Sequence, residues 1–310
     1  VTNPIIPGTP QDRTGSAGLL RKAIADIRRR YAGLQAEVLA TFDAIQVYSL
    51  NDAADRVAYG MTPEQMQAHS DALAATFDRW LIPSLSAKDP ANVFWWSGYV
   101  EDAATLGAAQ SVANLSNLSA AYGASRALET VIYSTPYKVR LAMAQIKSYD
   151  HWVGLAAQQK SDLSAIIGRA VVDGKNPRTV KTEIMDQLKV SKSRAEGYAQ
   201  TDITDTLRQA KMAEAEDARE ALNLNIVMLW TSALISTTRP THAARNGKVY
   251  TTQEVKAFYA KDGNRYRCHC GLTQALLDKD GKLLLSDKAK ARFKAETDAW
   301  EKAQADKQAS

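Results

Sequence analysis

The chain has 310 residues, 45% of them apolar and 24% charged, enough for two or three domains with a sizeable core. Aromatics make up only 7% while Ala is frequent, which favours closely packed helices over β-sandwiches. A net charge of +5 permits contact with nucleic acid or an acidic surface but demands neither, and only two cysteines are present, which excludes a secreted-type disulfide framework.

Residues 1–15 hold three prolines and two glycines and read as an extended arm. Val1 to Pro10 has no basic region followed by an apolar run, so no signal peptide is expected. From Leu20 onward, Ile24, Ile27, Tyr31, Leu34, Val38 and Phe42 recur at spacings of four and three, the apolar stripe of a long helix. Arg21, Lys22, Arg28, Arg29 and Arg30 flank it, either as a solvated face or as a docking surface. Leu20, Ile24, Ile27, Arg28, Arg29 and Tyr31 are the candidate partner-binding residues on that helix.

Thr62-Pro63 with Glu64 and Gln65 starts a helix that ends before Pro83. The turn-rich stretch Ser84 to Pro90 leads to Val93-Phe94-Trp95-Trp96, aromatics that serve as core anchors or as a stacking platform for bases. The uncharged region from Ala103 to Ser125 is rich in Ser, Asn, Gly and Gln and reads as a tightly packed helical region rather than a membrane span. Pro136 breaks this region, and Lys138 to Gln158 is helical again.

Asn176-Pro177 opens a helix expected to run to Leu188, and Ser193 with Glu196 is expected to cap a separate one ending near Leu222. The character then changes. Asn225 to Ile235, Lys248 to Thr252 and Tyr266 to Leu272 read as strands. Pro240 opens a short helix between the first two, closed by Asn246-Gly247, and Glu254 to Ala260 is a helical turn. Asp280-Gly281 is a turn before Leu283-Leu284-Leu285, and residues 287–310 form a charged, exposed terminal helix. The fold class expected is mainly α with a C-terminal α+β module: long N-terminal helices, a helix pair, then a small mixed sheet.

Candidate chemistry is concentrated between His242 and Cys270. On a strand, Cys268 and Cys270 share one face and His269 takes the other. Two thiolates with His242 alongside make three ligands suited to a structural zinc, without an evident fourth. The alternative is plain packing, with the cysteines as small apolar side chains and His242 as a hydrogen-bonded core residue. Residues 239–270 carry seven Lys or Arg against two acids, so Arg239, Arg245, Lys248, Arg265 and Arg267 are candidate nucleic-acid contacts. A hydrolase with His242 as general base is a further alternative, but the carboxylates that would hold Mg²⁺ are missing. There is no phosphate-binding glycine loop, nucleophile elbow or H-E-x-x-H.

Ala199-Gln200-Thr201-Asp202-Ile203, Trp230, Arg239-Pro240-Thr241-His242 with Asn246-Gly247, and Cys268-His269-Cys270 together resemble the Mu F-like phage head-morphogenesis, or minor head, proteins. That family shows an A-R-T-E element on a helix, a Trp-containing strand, an R-x-x-H-x-x-x-x-G turn and a C-x-C strand. Here Gln200 stands in place of Arg and Asp202 in place of Glu, and Ser236-Thr237-Thr238 replaces the acidic residues before the turn. The similarity covers roughly residues 160 to 275, and the basic helix after the arm also looks like the start of such proteins.

The resemblance implies a virion part present in few copies, associated with the portal, acting in assembly and in DNA packaging or ejection. It implies no enzyme activity and no small-molecule substrate. The expected partners are the portal protein, the major capsid or scaffold protein, and phage DNA; the expected location is the head near the portal, after assembly in the host cytoplasm. A DNA hydrolase centred on His242 and a nucleic-acid-binding adaptor are the alternatives. The expected segments are the arm (1–15), a portal-docking helical region (16–160), the helix pair (161–222), the α+β module (223–286) and the terminal helix (287–310).

Overall fold

The computed structural model describes residues 2–49, 56–82 and 94–308. Ser84 to Pro90 and Val93 lie outside them. The helices α1 (Ala17–Asp43), α2 (Pro63–Leu81), α3 (Ser97–Leu118), α4 (Ala120–Ser125), α5 (Leu128–Ile132), α6 (Thr135–Asp173) and α7 (Pro177–Leu222) come first, with a hairpin of β1 (Val47–Ser49) and β2 (Val57–Tyr59) between α1 and α2. Then follow β3 (Ile226–Thr231), α8 (Pro240–Ala243), β4 (Val249–Tyr250), α9 (Thr252–Tyr259), β5 (Gly271–Leu276) and α10 (Asp287–Gln308). The chain is mainly α with a C-terminal α+β part, as expected. No helix among the described residues is long and apolar enough to cross a membrane.

These elements form two compact units, one of residues 22–98 and 146–197, the other of residues 1–21, 99–145 and 198–310. In the first unit the stripe of α1 is consumed by the chain's own core. Ile27, Tyr31, Leu34, Val38 and Phe42 are buried, and the Tyr31 hydroxyl donates to Gln159 Oε1 at 2.9 Å. Ile27 and Tyr31 are therefore not free for a partner, while Arg28 and Arg29 are exposed. Arg28 pairs with Glu196 at 2.8 Å, and Arg29 with Asp26 on its own helix. Leu20 and Ile24 are half-buried. Trp95, Trp96 and Trp152 meet edge-on or tilted at 5.0–5.4 Å, so the aromatic run anchors a core.

The expected pair of helices over 177–222 is a single helix of 46 residues. No Pro breaks it, Gly197 is accommodated within it, and Leu188, Ser191, Ala195 and Ala199 keep one buried stripe running through the expected break. Glu196 turns to Arg28 instead of capping Ser193.

The second unit is organised by the C-terminal half of α7. Its buried face carries Arg208, Lys211 and Glu214 among Met212, Ala215 and Ala218. Glu214 accepts from Tyr122 at 2.6 Å and from Arg126 at 3.1 Å. Gly107 on α3 lets the helices approach, since a Cβ there would lie 2.5 Å from the Leu207 carbonyl oxygen. The sheet is antiparallel in the order β4-β3-β5, with Leu229 opposite Val249 and Thr273. All six residues of β3 are buried. Gln274 of β5 donates to Ser111 Oγ and the Lys211 carbonyl, tying the sheet to α3 and α7.

The N-terminal arm is part of this unit rather than a loose extension. The Ile5 amide donates to Asn114 Oδ1 at 2.7 Å, and the buried Arg13 donates to Glu296 at 2.7 Å and to the Ser232 carbonyl at 3.4 Å. The terminal helix α10 is likewise anchored: Phe293 is buried, and Trp300 Nε1 donates to the Ile235 carbonyl. The third expected strand begins later than the sequence suggests. Residues 261–267 are turns and 268–270 irregular, with Asp262 and Arg267 in left-handed backbone conformations that no regular strand contains.

Gly271 is the point where the arm touches the sheet, because a Cβ there would lie 2.0 Å from the Arg13 carbonyl oxygen. Gly271→Ala should therefore destabilise the chain by about 2 kcal/mol or more in denaturant unfolding. A loss below about 0.5 kcal/mol would show that the arm does not pack there.

Lys211 supplies a second test. Its ammonium is fully enclosed, donates to Gln110 Oε1 at 2.9 Å, and burial lowers its pKa to about 7 from the ordinary 10.5. Between those values the unfolded chain holds a proton that the folded chain lacks. The contribution to stability is thus complete above 10.5 and is lost as pH falls through 7. Urea unfolding at about pH 7 and about pH 9 should show the advantage of Lys211→Met over wild type shrinking as pH rises, whereas a pH-independent difference would refute the assignment.

Candidate functional site

The site is built around the sheet of the second unit. Trp230, buried on β3, stacks on Tyr259 with centroids 5.1 Å apart and donates through Nε1 to Ser232 Oγ at 3.1 Å. Ser232 in turn donates to the His242 carbonyl at 2.6 Å, and its amide is held by Asn246 Oδ1 at 2.9 Å. These contacts fix the short helix α8, which Pro240 opens and on which His242 sits, 2% exposed.

Both cysteine sulfurs converge on the same imidazole. His242 Nδ1 lies 3.4 Å from Cys268 Sγ and 3.6 Å from Cys270 Sγ, and the three donor atoms are all within 4.8 Å of one another. His269 points away, to Gln200 at 2.6 Å. The expected grouping of His242 with the two cysteines, and not with His269, therefore holds although the segment carrying them is not a strand. It is shaped instead by the turns before it and by Thr201, whose Oγ1 accepts from the Arg267 amide at 3.1 Å.

Arg208 is the electrostatic centre of the site. Its guanidinium is fully buried, lies over the Tyr259 ring at 4.4 Å and donates to the Cys270 carbonyl at 3.3 Å. Burial raises the Cys268 thiol, but its hydrogen bond with Cys270, the Arg208 charge and His242 outweigh this and hold it well below the usual thiol range. The same hydrogen bond, with burial and the Cys268 charge, pushes Cys270 well above that range. The two thiols are thus driven apart, Cys268 toward the thiolate and Cys270 toward the thiol, beside a buried cation.

The basic residues of 239–270 divide into two sets. Arg239 donates to His242 Nε2 and to the carbonyls of Gly263, Asn264 and Tyr266, clamping the turn that precedes the cysteines. Arg245 lies over Phe258 at 3.8 Å and Tyr250 at 4.6 Å. These two are held within the fold. Lys248 and Arg267 are exposed and Arg265 is half-buried.

Arg208, Asn264, Ser232 and Tyr259 complete the site without having been singled out in the sequence. Arg208 had a signal, a charged residue one turn after Thr204 on the stripe of Ile203 and Leu207. Asn264 had none, since nothing local shows that it faces His242.

Residues 162–273 match the family described as Phage Mu protein F like protein. The Mu F-like segment contains every residue of this site, from Gln200 on α7 to Cys270, and bears out the resemblance read from the motifs. The segment is thus similar to a family of phage head-morphogenesis proteins, which are in general structural rather than enzymatic. Comparisons with curated proteins and with solved structures gave no match.

The Mu F-like site yields a direct electrostatic test. Removing the buried cation with Arg208→Met should move the first thiol titration of the folded chain to higher pH, followed by ultraviolet thiolate absorbance. An unchanged titration would show that the guanidinium does not act on the sulfurs.

Proposed function

We propose that this chain is a minor head protein of a tailed phage that works at the portal during head assembly. The observation that carries the reading is the match over 162–273, with its separated motifs meeting in one buried site. A structural role suits that site better than catalysis. His242, Cys268 and Cys270 are each 3% exposed or less, so none of them faces a cleft that a macromolecular substrate could enter in this conformation. The group acts as a staple for a small sheet, with structural zinc as the ion its donors suit.

The proposed partners are the portal protein, the capsid or scaffold protein, and phage DNA during packaging or ejection. Since Ile27 and Tyr31 are buried, the part of α1 left for a protein partner is its charged face with Arg28 and Arg29. Of the five candidate DNA contacts, Lys248 and Arg267 are the ones exposed to meet phosphates.

Purified phage heads test the reading. The tagged wild-type chain should co-purify with intact heads in a few copies and give density at the neck by cryo-EM. Arg28→Glu with Arg29→Glu should cut its incorporation several-fold while leaving the chain folded, as exposed charges set association more than stability. Heads that assemble and package DNA normally without the chain, and never contain it, would overturn the proposal.

A further inference from the structure

We propose that His242, Cys268 and Cys270 form a zinc-class metal centre whose histidine is oriented by Asn264. Tetrahedral zinc with bonds of about 2.1 Å to nitrogen and 2.3 Å to sulfur needs nitrogen and sulfur ligands roughly 3.6 Å apart. The observed separations of 3.4 and 3.6 Å from His242 Nδ1 meet that requirement without rearrangement of the backbone. The donors come from two elements that the fold fixes independently, α8 through Ser232 and the cysteine segment through Thr201 and Arg208. Two soft sulfurs and an imidazole are the donor set of zinc, not of magnesium or calcium.

The other ring nitrogen decides whether the imidazole can serve as a ligand. To bind metal through Nδ1, a neutral His242 must carry its proton on Nε2 and donate it to an acceptor. Asn264 Oδ1 lies 3.3 Å from Nε2. The amide is locked with its oxygen toward the ring, because Asn264 Nδ2 donates to the Phe258 carbonyl at 3.1 Å. Asn264 is 7% exposed, so a carboxamide so placed is a positioning residue for the ring.

Arg239 Nε also reaches Nε2, at 3.2 Å, and as a donor it requires the opposite tautomer, with Nδ1–H turned to the sulfurs. The site therefore has two proton arrangements. In one, Nε2 accepts from Arg239 and Nδ1–H faces the cysteines. In the other, Nε2–H donates to Asn264, Nδ1 and both thiolates hold the ion, and the displaced protons leave to solvent. In the second arrangement Arg239 Nε gives up its acceptor and must shift from the ring, while its terminal nitrogens keep their three backbone carbonyls. Among the described residues no fourth His, Cys, Asp or Glu joins the group, which leaves the fourth position to water or a small anion.

The test uses the full chain, purified under reducing conditions without chelator. Elemental analysis should find one zinc per chain, and replacement by Co²⁺ should give tetrahedral d–d bands with thiolate-to-cobalt charge transfer. Cys268→Ser and Cys270→Ser should each abolish the charge transfer expected of two thiolates. Because those variants strike a core, Asn264→Ala gives the independent reading. It should weaken zinc binding about 10- to 100-fold in chelator competition while leaving the ligand set, and hence the cobalt bands, unchanged. Metal-free wild type with both thiols shown to be reduced should also gain thermal stability on adding zinc. No stoichiometric metal, together with no cobalt spectrum and no zinc-dependent stabilisation of that reduced protein, overturns the centre. An Asn264→Ala affinity equal to wild type overturns the positioning role. None of these outcomes depends on whether the chain enters phage heads, so this proposal and the functional reading fail separately.

Discussion

A helix that buries an arginine, a lysine and a glutamate along one face must find a partner for each, and α7 finds them far away in the chain. Glu214 takes Tyr122 and Arg126, Lys211 takes Gln110, and Arg208 takes the Cys270 carbonyl and the electron-rich surroundings of Tyr259 and the sulfurs. Leaving any one of these groups unpaired in the interior would cost a few kcal/mol, a large share of the stability of a domain. The partners sit on α3, on α4 and its C-cap, on α9 and on the approach to β5. This polar face therefore dictates which segments surround α7, while the apolar residues beside it supply most of the burial.

That arrangement explains why the family's motifs are scattered in sequence. Thr201, Trp230, the Arg239–His242 turn and the cysteines occupy four different segments, yet each makes a contact that positions another. Thr201 fixes the Arg267 amide, Arg239 fixes the turn between α9 and the cysteines, and Trp230 reaches His242 through Ser232. Gln200 makes its contact with His269, on the side of the cysteine segment turned away from the two sulfurs. A change at that position is therefore separated from the sulfur cluster, even though it lies in the same motif.

The legible parts of the fold were those governed by local periodicity. The stripe from Ile27 to Phe42 gave α1, and Thr62-Pro63 gave a capped α2 with Gln65 closing the capping box. The joining of 177–222 was hidden because Ser193 and Glu196 satisfy a capping pattern equally well in the middle of a helix whose stripe continues. What the α1 stripe packs against was also beyond local reading, since an apolar face shows that something covers it and not whether the cover is the same chain. For the site, residue type sufficed for His242 and the cysteines. The geometry reached the same grouping by another route, with Arg267 in a left-handed turn where a strand was expected. Asn264 and the Thr201 contact are tertiary facts with no sequence signature.

The threading of the arm has a consequence for when the chain can fold. Arg13 finds its carboxylate at Glu296, 283 residues later, and Asn3 accepts from the Ser286 amide at the same separation. Contacts this distant make loop closure a late and slow event, and they cannot form while the chain is still emerging from the ribosome. Until Glu296 is available, Arg13 is a charged side chain without its ion partner. The unit can close only once synthesis has passed α10, so a nascent chain is held back from its finished form until that helix has emerged.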